Sequence, residues 1–228
     1  MTNSKAAHES RNFFLEGPAG RLEAILWKPV AQQLPQLAAL VCHPHPLFGG
    51  TVHNKVVYQA AKTLDALGLP LLRFNFRGAG LSEGMHDRGR GEQGDVQAAV
   101  DFLASEFPHV LLLLAGFSFG CWVGLRVGCA DERVQELIGM GTPVNSSDFS
   151  FLLNCEKPKL FVHGANDEHG ALAKVEALVE SLPGENRLVV IREADHFFVG
   201  KLDHVDAAIR NWVTARHPEI AAAARAAE

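Results

Sequence analysis

A serine placed between two glycines is the pattern with the clearest chemical meaning in this chain. The motif Gly-Phe-Ser-Phe-Gly at 116–120 follows a continuous apolar run, 110–115, and precedes a segment, 121–127, with helical character. Strand, tight turn and helix in this order form a nucleophile elbow, which lifts the serine hydroxyl clear of the backbone. The glycines have no Cβ, so strand and helix can approach closely. We therefore predict that Ser118 is a nucleophile.

A serine hydroxyl needs a base within hydrogen-bond reach, and the base needs an acid that orients it. In a parallel sheet covered by helices, such residues gather in loops at the carboxyl ends of strands. The loop after the apolar run 160–162 carries Asp167, and the loop after 188–191 carries His196. Room for one helix and one strand separates the two. The sequence thus predicts a triad in the order Ser118, Asp167, His196.

Each of the last two residues has a competing interpretation. Asp167 can instead cap the helix that begins near residue 172, and His196 can be a loop histidine bound to backbone. Asp148, in the loop after the preceding strand, is a second candidate acid. Asp195 adjoins His196 in the chain and is therefore poorly placed to orient its ring. The joint order and spacing favour Asp167.

Acyl chemistry also requires hydrogen-bond donors for the oxyanion of the transition state. The residue after the nucleophile, Phe119, is expected to supply the first backbone N–H. The second donor is expected from the loop 43–50, where two positions are prolines without an N–H. His45 or Leu47 remains, and His45 is preferred. The H-x-H pattern of this loop lacks a further ligand at suitable spacing, so we predict no metal site.

Strands and helices must alternate to position these residues. The patterns predict a hairpin of strands at 13–16 and 22–27, then strands at 38–42, 71–76, 110–115, 134–140, 160–162 and 188–191. Helices are predicted at 52–67, 96–107, 121–127, 172–182 and 198–212. Because the later strands are apolar runs rather than alternating ones, we expect an α/β fold with a mostly parallel central sheet, an N-terminal antiparallel hairpin and helices on both faces.

Composition excludes several classes of function. The chain has 228 residues, 47% of them hydrophobic and 21% charged, with a net charge of −5. A basic stripe is missing, so we predict no nucleic-acid partner. A run of transmembrane length and a signal peptide are missing too, which predicts no membrane association and a cytoplasmic protein. The turn at 77–84 lacks the third glycine of a dinucleotide site, and no cofactor is expected.

The chain divides by composition into three parts. We predict a flexible N-terminal segment at 1–11, a single domain at 12–216 and an alanine-rich tail at 217–228, either a helix extension or frayed. Four cysteines without C-x-x-C spacing indicate free thiols in a reducing compartment.

At these positions the chain resembles the α/β-hydrolase superfamily over nearly its whole length. It is most similar to small, lidless bacterial hydrolases related to the dienelactone-hydrolase group. That similarity rests on H-P-H-P at 43–46 with glycines at 49 and 50, on R-F-N-F-R-G at 73–78, and on Gly91 and Glu92 with Asp95. In members with a His-Gly-x oxyanion loop the third residue donates its N–H, and the matching residue here is His45.

The resemblance implies an α/β-hydrolase fold and ester hydrolysis. Dienelactone hydrolases use a cysteine nucleophile, whereas this chain has Ser118, which favours general ester hydrolysis over lactone specificity. Only residues 142–158 separate the two strands between which relatives insert a cap, so we predict no cap domain. The segment 148–153 is placed to overhang the site.

We therefore expect a short-acyl carboxylesterase whose partner is a small ester. Leu47, Phe48, Phe117 and Phe197 are candidates for an apolar wall that contacts the substrate, although core packing accounts equally well for any one of them. A thioesterase or a peptide-bond hydrolase with the same triad is an alternative. So is a non-catalytic small-molecule binding protein on this fold. The oligomeric state is left open.

Overall fold

Within residues 8–30 and 36–226, the part of the chain that this computed structural model describes (the last four residues by backbone alone), eight strands form one sheet. The strands are β1 (His8–Gly17), β2 (Gly20–Pro29), β3 (Leu37–Cys42), β4 (Leu71–Phe74), β5 (Leu111–Phe117), β6 (Val134–Met140), β7 (Lys159–Gly164) and β8 (Asn186–Ile191).

From β3 onward an α-helix follows every strand except β6, and two helices follow β8. The α-helices are α1 (Lys55–Ala66), α2 (Gly91–Glu106), α3 (Phe119–Ala130), α4 (Leu172–Ser181), α5 (Leu202–Arg216) and α6 (Pro218–Ala226). Two short 3₁₀ helices, Pro46–Phe48 and Ser150–Asn154, lie in loops. The sequence analysis missed both, because a single 3₁₀ turn is too short to show a hydrophobic period.

The sheet has the order β1-β2-β4-β3-β5-β6-β7-β8. Strands β1 and β2 form an antiparallel hairpin, and β2 also pairs antiparallel with β4. All later neighbours are parallel. The predicted architecture of a mostly parallel sheet with an N-terminal antiparallel hairpin is confirmed.

Two hydrophobic cores cover the two faces of this sheet. Alternate residues of each central strand point to opposite faces, as the period of a β-strand requires. Leu113, Ala115 and Phe117 of β5 pack toward helices α1 and α5. Leu112 and Leu114 of the same strand pack toward α2 and α3. Burial on both faces explains why these strands are continuous apolar runs in the sequence.

The predicted flexible segment at 1–11 is wrong at its end, because β1 begins at His8. Residues 8–11 pair with β2 along the whole hairpin, from His8 opposite Pro29. Their side chains are mostly exposed and polar, so no hydrophobic pattern signals the strand. Residues 1–7 lie outside the described part of the chain. At the other end, residues 218–226 form α6, where Ile220 is buried against the core.

Candidate active site

The site lies where the sheet changes its direction of winding. From β3 the chain crosses to β4 on one side and later returns to β5 on the other. The loops that follow β3 and β5 therefore leave the sheet in opposite directions and open a crevice at the carboxyl ends of the strands. Residues 43–50 follow β3 and Ser118 follows β5, so both stand at the same edge of the sheet.

Ser118 occupies a strained turn between β5 and α3. Its φ of 54° and ψ of −117° are rare for a residue with a side chain. The turn is held by two backbone hydrogen bonds: the Ser118 N–H donates to the Met140 carbonyl at 2.9 Å, and the Trp122 N–H donates to the Ser118 carbonyl at 3.1 Å. Ser118 remains partly exposed. The predicted strand, turn and helix are all present.

Asp167, His196 and Ser118 form a continuous hydrogen-bonded chain. The Ser118 Oγ lies 2.8 Å from His196 Nε2. On the other side of the ring, Nδ1 lies 2.8 Å from Asp167 Oδ2. Since an ionised carboxylate can only accept, Nδ1 carries the proton, and Nε2 is left to accept the hydroxyl proton. This arrangement can activate a serine as a nucleophile.

Asp167 is held by its own loop as well as by the histidine. Its Oδ1 accepts the backbone N–H groups of His169 at 2.8 Å and Gly170 at 3.1 Å. Burial raises the pKa of Asp167, but the hydrogen bond and the charge of His196, with the backbone N–H of His169, outweigh burial and hold its pKa below the ordinary value. The competing prediction, that Asp167 caps α4, is wrong, because Ala171 occupies that N-cap position.

The other candidate acids are engaged elsewhere. Asp195 Oδ1 accepts the Val199 N–H at 3.0 Å and closes its own turn. Asp148 accepts both the backbone N–H and the hydroxyl of Ser150, each at 2.8 Å. Neither carboxylate contacts the His196 ring.

Two residues beneath His196 were missed or misassigned by the sequence analysis. Gly141, directly after β6, has a φ of 54°, and a Cβ there would lie 3.1 Å from His196 Cε1. The missing side chain lets His196 reach across β6 to Ser118. The prediction that Phe117 contacts the substrate is wrong: its ring is fully buried and packs under His196 at 5.0 Å between centroids.

His163 is a third buried group near the acid that the sequence analysis did not identify. Its Nε2 donates to the Gly170 carbonyl at 2.6 Å, and its Nδ1 accepts the Thr142 N–H at 3.3 Å. Burial lowers the pKa of His163, so the ring is neutral. It lies 3.7 Å from Asp167 and supports the loop that carries it. Nothing in the spacing of the sequence distinguishes this histidine from a core residue.

The loop after β3 is fixed by a buried histidine. His43 Nδ1 donates to the Pro44 carbonyl at 2.6 Å, while Nε2 accepts the Phe76 N–H at 2.9 Å. The ring therefore ties the end of β3 to the segment that follows β4. Burial lowers the pKa of His43 to about 4, so the ring is neutral at neutral pH.

We predict that His43 makes the fold sensitive to acid. The unfolded chain takes up a proton on this ring near pH 6.5, whereas the native state resists until about pH 4. The unfolded state therefore binds more protons between these values, and the free energy of unfolding falls as the pH drops, by about 3 kcal/mol in total from this group. Urea denaturation between pH 7 and pH 4 measures the slope.

The slope should decrease in His43→Gln and stay unchanged in the exposed control His53→Gln. If the free energy of unfolding depends equally on pH in all three proteins, the acid sensitivity does not come from His43. Should His43→Gln not fold, an NMR titration of the His43 ring in the parent gives its pKa directly.

The two predicted oxyanion donors differ from Leu47 in the hydrogen bonding of their backbone N–H groups. Within the described residues, neither the Phe119 N–H nor the His45 N–H has a hydrogen-bond partner. The Leu47 N–H, by contrast, donates at 3.3 Å to Nδ1 of His45, whose side chain caps the first 3₁₀ helix. The ring centroids of His45 and Phe119 lie 4.9 Å apart, so the two residues are neighbours at the site. This geometry favours His45 over Leu47.

Apolar side chains surround the crevice on both sides. Leu47 and Phe48 are 67% and 86% exposed beside His45, and Phe197 is 48% exposed beside His196. The segment 148–153, expected to overhang the site, packs against α3, where Asp148 accepts the Trp122 indole N–H on its carbonyl at 2.9 Å. The wall near His45 also contains His86, which the sequence analysis did not identify and which lies 2.7 Å from the buried Glu92.

A search of residues 8–30 and 36–226 finds no group of three or more His, Cys, Asp or Glu side chains that could hold a metal ion. In the same ranges, no helix is long and apolar enough to cross a membrane.

Comparison with known proteins gives relatives over most of the chain, although no protein-family model matches it. A crystal structure from Xanthomonas campestris, described as an α/β serine hydrolase without a lid, is 36% identical and covers 91% of this chain and 94% of its own, with a TM-score of 0.84. An α/β serine hydrolase homologue from Coxiella burnetii is also 36% identical and covers 92% and 97%, with a TM-score of 0.83. An uncharacterized protein of Rickettsia prowazekii is 37% identical over 209 residues, which cover 88% of this chain and 87% of that protein.

Proposed function

This chain belongs to the lidless α/β serine hydrolases, and from that premise we propose that it hydrolyses small carboxylic esters through an acyl-enzyme on Ser118. The observation that carries the proposal is the hydrogen-bonded chain from Asp167 through His196 to Ser118, with 2.8 Å at each step. The expected resemblance to the α/β-hydrolase superfamily and its lidless branch is confirmed by the solved relatives.

Acylation begins with transfer of the hydroxyl proton. His196 Nε2 takes the proton as Ser118 Oγ attacks the ester carbonyl carbon, and Asp167 stabilises the charged imidazole that forms. The carbonyl oxygen becomes an oxyanion, which accepts hydrogen bonds from the backbone N–H groups of Phe119 and His45. His196 then returns its proton to the leaving alkoxide, and the alcohol departs from the acyl-enzyme.

Deacylation repeats the same steps with water. His196 removes a proton from the water as its oxygen attacks the acyl carbon, and the same two N–H groups stabilise the second oxyanion. The proton returns to Ser118 Oγ when the bond to the acyl group breaks, which releases the carboxylic acid. Side chains and backbone of this chain suffice for every step together with water.

The open crevice favours esters with a short acyl group. Ser118 is partly exposed, and the flanking apolar side chains of Leu47, Phe48 and Phe197 stand largely in solvent. Burial of each additional CH₂ stabilises a complex by about 0.8 kcal/mol, or about fourfold in binding, only if the protein encloses it. A long chain would stay in water here.

We therefore predict that kcat/KM does not rise with chain length beyond butyrate. The measurement is hydrolysis of a series of p-nitrophenyl esters from acetate to decanoate, each kept below its critical micelle concentration. A continued increase of about fourfold per CH₂ would show an enclosed acyl pocket and contradict the prediction.

The proposed nucleophile can be tested without knowing the physiological substrate. A fluorophosphonate reacts with an activated serine, loses fluoride and leaves a covalent phosphonyl adduct. We expect a single adduct on the parent protein by intact mass, located at Ser118 by peptide mapping, and loss of labelling in Ser118→Ala and His196→Ala. Circular dichroism establishes that both variants are folded. A folded parent that acquires no adduct would overturn the proposed function.

A further inference from the structure

A buried acid that the mechanism above does not use anchors a loop next to the proposed oxyanion hole. Glu92, in the first turn of α2, is fully buried. Its Oε1 accepts the backbone N–H of Asp87 at 2.7 Å, and its Oε2 accepts that of Gly89 at 2.8 Å. A buried carboxyl group is costly unless hydrogen bonds satisfy it, and here the donors come from one short segment. Glu92 therefore holds the segment 86–89 in one conformation.

This segment is a tight turn that packs on the start of α3. Arg88 and Gly89 have φ values of 53° and 85°. A Cβ at Gly89 would overlap Cζ3 of Trp122, so only a glycine lets the turn approach this indole so closely. Trp122 lies in the first turn of α3, and its ring centroid is 6.0 Å from that of Phe119. The turn thus rests against the helix start that supplies the first proposed donor.

The turn brings His86 into contact with both donor residues. Its Nδ1 lies 2.7 Å from Glu92 Oε1, and its side chain is only 9% exposed. The His86 ring centroid lies 4.6 Å from that of His45 and 5.5 Å from that of Phe119. With the 4.9 Å between His45 and Phe119, all three pairs lie at distances typical of packed aromatic side chains. The three rings therefore form one cluster.

The loop that carries the second proposed donor depends on this cluster for its position. The N–H groups of Phe48 and Gly50 both donate to the His45 carbonyl, each at 3.1 Å. These two bonds set the shape of the segment 45–50, because they close it on itself. They do not set its distance from α3, which depends on the end of β3 and on the contacts of the His45 ring.

We propose that His86, held by Glu92, is a positioning residue that keeps His45 and Phe119 at the separation at which both backbone N–H groups reach the oxyanion. The proposal rests on the proposed function and deepens it. Loss of the His86 ring would leave the Ser118–His196 contact intact but let the two donors move. A displacement of about 1 Å in such a site costs about 10²-fold in rate. Since the oxyanion exists only beyond the bound substrate, the loss falls on kcat rather than on KM.

The test compares His86→Ala, which removes the ring, with His86→Phe, which keeps a ring of similar size. We expect His86→Ala to lower kcat for p-nitrophenyl butyrate by about 10²-fold, with KM within about threefold of the parent value. His86→Phe should retain kcat within about fivefold, because an exchange that conserves volume and shape is tolerated. The matched control is Met85→Ala, which changes the preceding residue of the same loop, 84% exposed, and should leave kcat unchanged.

Urea denaturation establishes that these variants are folded. Should His86→Ala not fold, His86→Leu replaces it, because leucine fills the space without a planar ring. A loss in kcat of at least about tenfold is then expected, smaller than for the alanine because part of the packing remains.

A second measurement separates an effect on the oxyanion from a general loss of structure. Butylboronic acid adds reversibly to Ser118 Oγ while His196 takes the hydroxyl proton, and the product is a tetrahedral boronate anion that resembles the transition state. Its inhibition constant should rise in His86→Ala in proportion to the fall in kcat/KM. In His86→Phe and Met85→Ala the inhibition constant should stay near the parent value.

The positioning role is overturned if the variant without the ring keeps the parent kcat, if only its KM changes, or if the boronate binds it as tightly as the parent while kcat falls. It is also overturned if His86→Phe is as impaired as His86→Ala, since the ring would then not be what matters. A folded parent that neither hydrolyses the ester nor reacts with the fluorophosphonate would instead refute the proposed function, so the two failures are distinguishable.

Discussion

Asp167→Asn is expected to lower kcat/KM for a short-acyl ester by about 10⁴-fold without unfolding the protein. The asparagine oxygen can still accept the backbone N–H groups of His169 and Gly170, so the loop keeps its hydrogen bonds. Toward His196, however, the amide NH₂ replaces an oxygen that accepts from Nδ1. The ring then carries its proton on Nε2, facing Ser118, and cannot act as the base.

The chain offers two matched controls for this substitution. Asp195→Asn changes the residue next to His196 in sequence, and its oxygen can still accept the Val199 N–H. Asp148→Asn changes the second candidate acid, which bonds to Ser150. Both should retain kcat/KM within about threefold of the parent value, or about 0.6 kcal/mol of activation free energy, because neither carboxylate contacts His196. Comparable losses in Asp195→Asn and Asp167→Asn would show that the acid is misassigned.

The measurement is the initial rate of p-nitrophenyl butyrate hydrolysis below KM, with thermal unfolding of each variant as the check on folding. Asp167→Asn should also lose most of its fluorophosphonate labelling rate, since that reaction requires the same proton transfer. A variant that labels as fast as the parent but hydrolyses slowly would mean that the residue acts only in deacylation, contrary to the mechanism proposed here.

The three candidate catalytic residues could be predicted because each follows an apolar run that can only be a buried strand. Ser118, Asp167 and His196 stand after β5, β7 and β8, and parallel strands end at the same edge of the sheet. The choice of Asp167 over Asp195 also followed from local geometry, since a side chain rarely turns back to orient its chain neighbour. The order of strands and helices along the chain was enough to predict that these three side chains meet.

The supporting residues could not be predicted in the same way, because their roles depend on contacts between strands. Gly141 is needed only because His196 crosses β6, and the sequence does not state that β6 lies between β5 and β7. Phe117 was assigned to the substrate wall although the alternation of β5 turns it with Leu113 toward α1 and α5.

Buried charged side chains could not be predicted from the sequence either. The Arg77 guanidinium forms a bidentate pair with Asp95, with Nη2 to Oδ1 at 2.7 Å and Nε to Oδ2 at 3.0 Å, and both side chains are nearly or fully buried. Lys159 is fully buried among backbone carbonyls. A hydrophobic pattern places such residues at the surface, since Arg, Lys and Asp are rarely buried unless paired. Only the three-dimensional neighbours show that their hydrogen bonds are satisfied.

The elbow itself depends on a glycine that permits two backbones to touch. A Cβ at Gly120, in the first turn of α3, would lie 2.5 Å from the Cys42 carbonyl oxygen and would also overlap the His43 carbonyl. Both obstacles are backbone atoms at the end of β3, which pairs with β4 and β5 on its two sides. Neither can rotate away, so an alanine must push α3 off the sheet.

We therefore expect Gly120→Ala to reduce the free energy of unfolding by more than about 4 kcal/mol, in the range reserved for severe steric conflict. Gly128→Ala is the matched control, because it lies on the same helix and gains the same helix propensity. Its Cβ would meet the Leu137 Cδ2 at 2.6 Å, which is the end of a flexible side chain. Relief by a rotamer change limits its net cost to about 1–2 kcal/mol.

Urea denaturation of the two variants and the parent compares these costs, with soluble yield as the readout if Gly120→Ala does not fold. Equal stability of the two variants would mean that α3 can shift away from β3 at little cost. Such freedom would undermine the proposed oxyanion hole, whose two donors lie on the two sides of this contact: Phe119 on α3, and His45 on the loop that leaves β3. The distance between the N–H groups of Phe119 and His45 is fixed only as long as helix and strand cannot separate, so the stability cost at Gly120 measures how rigidly the site is held.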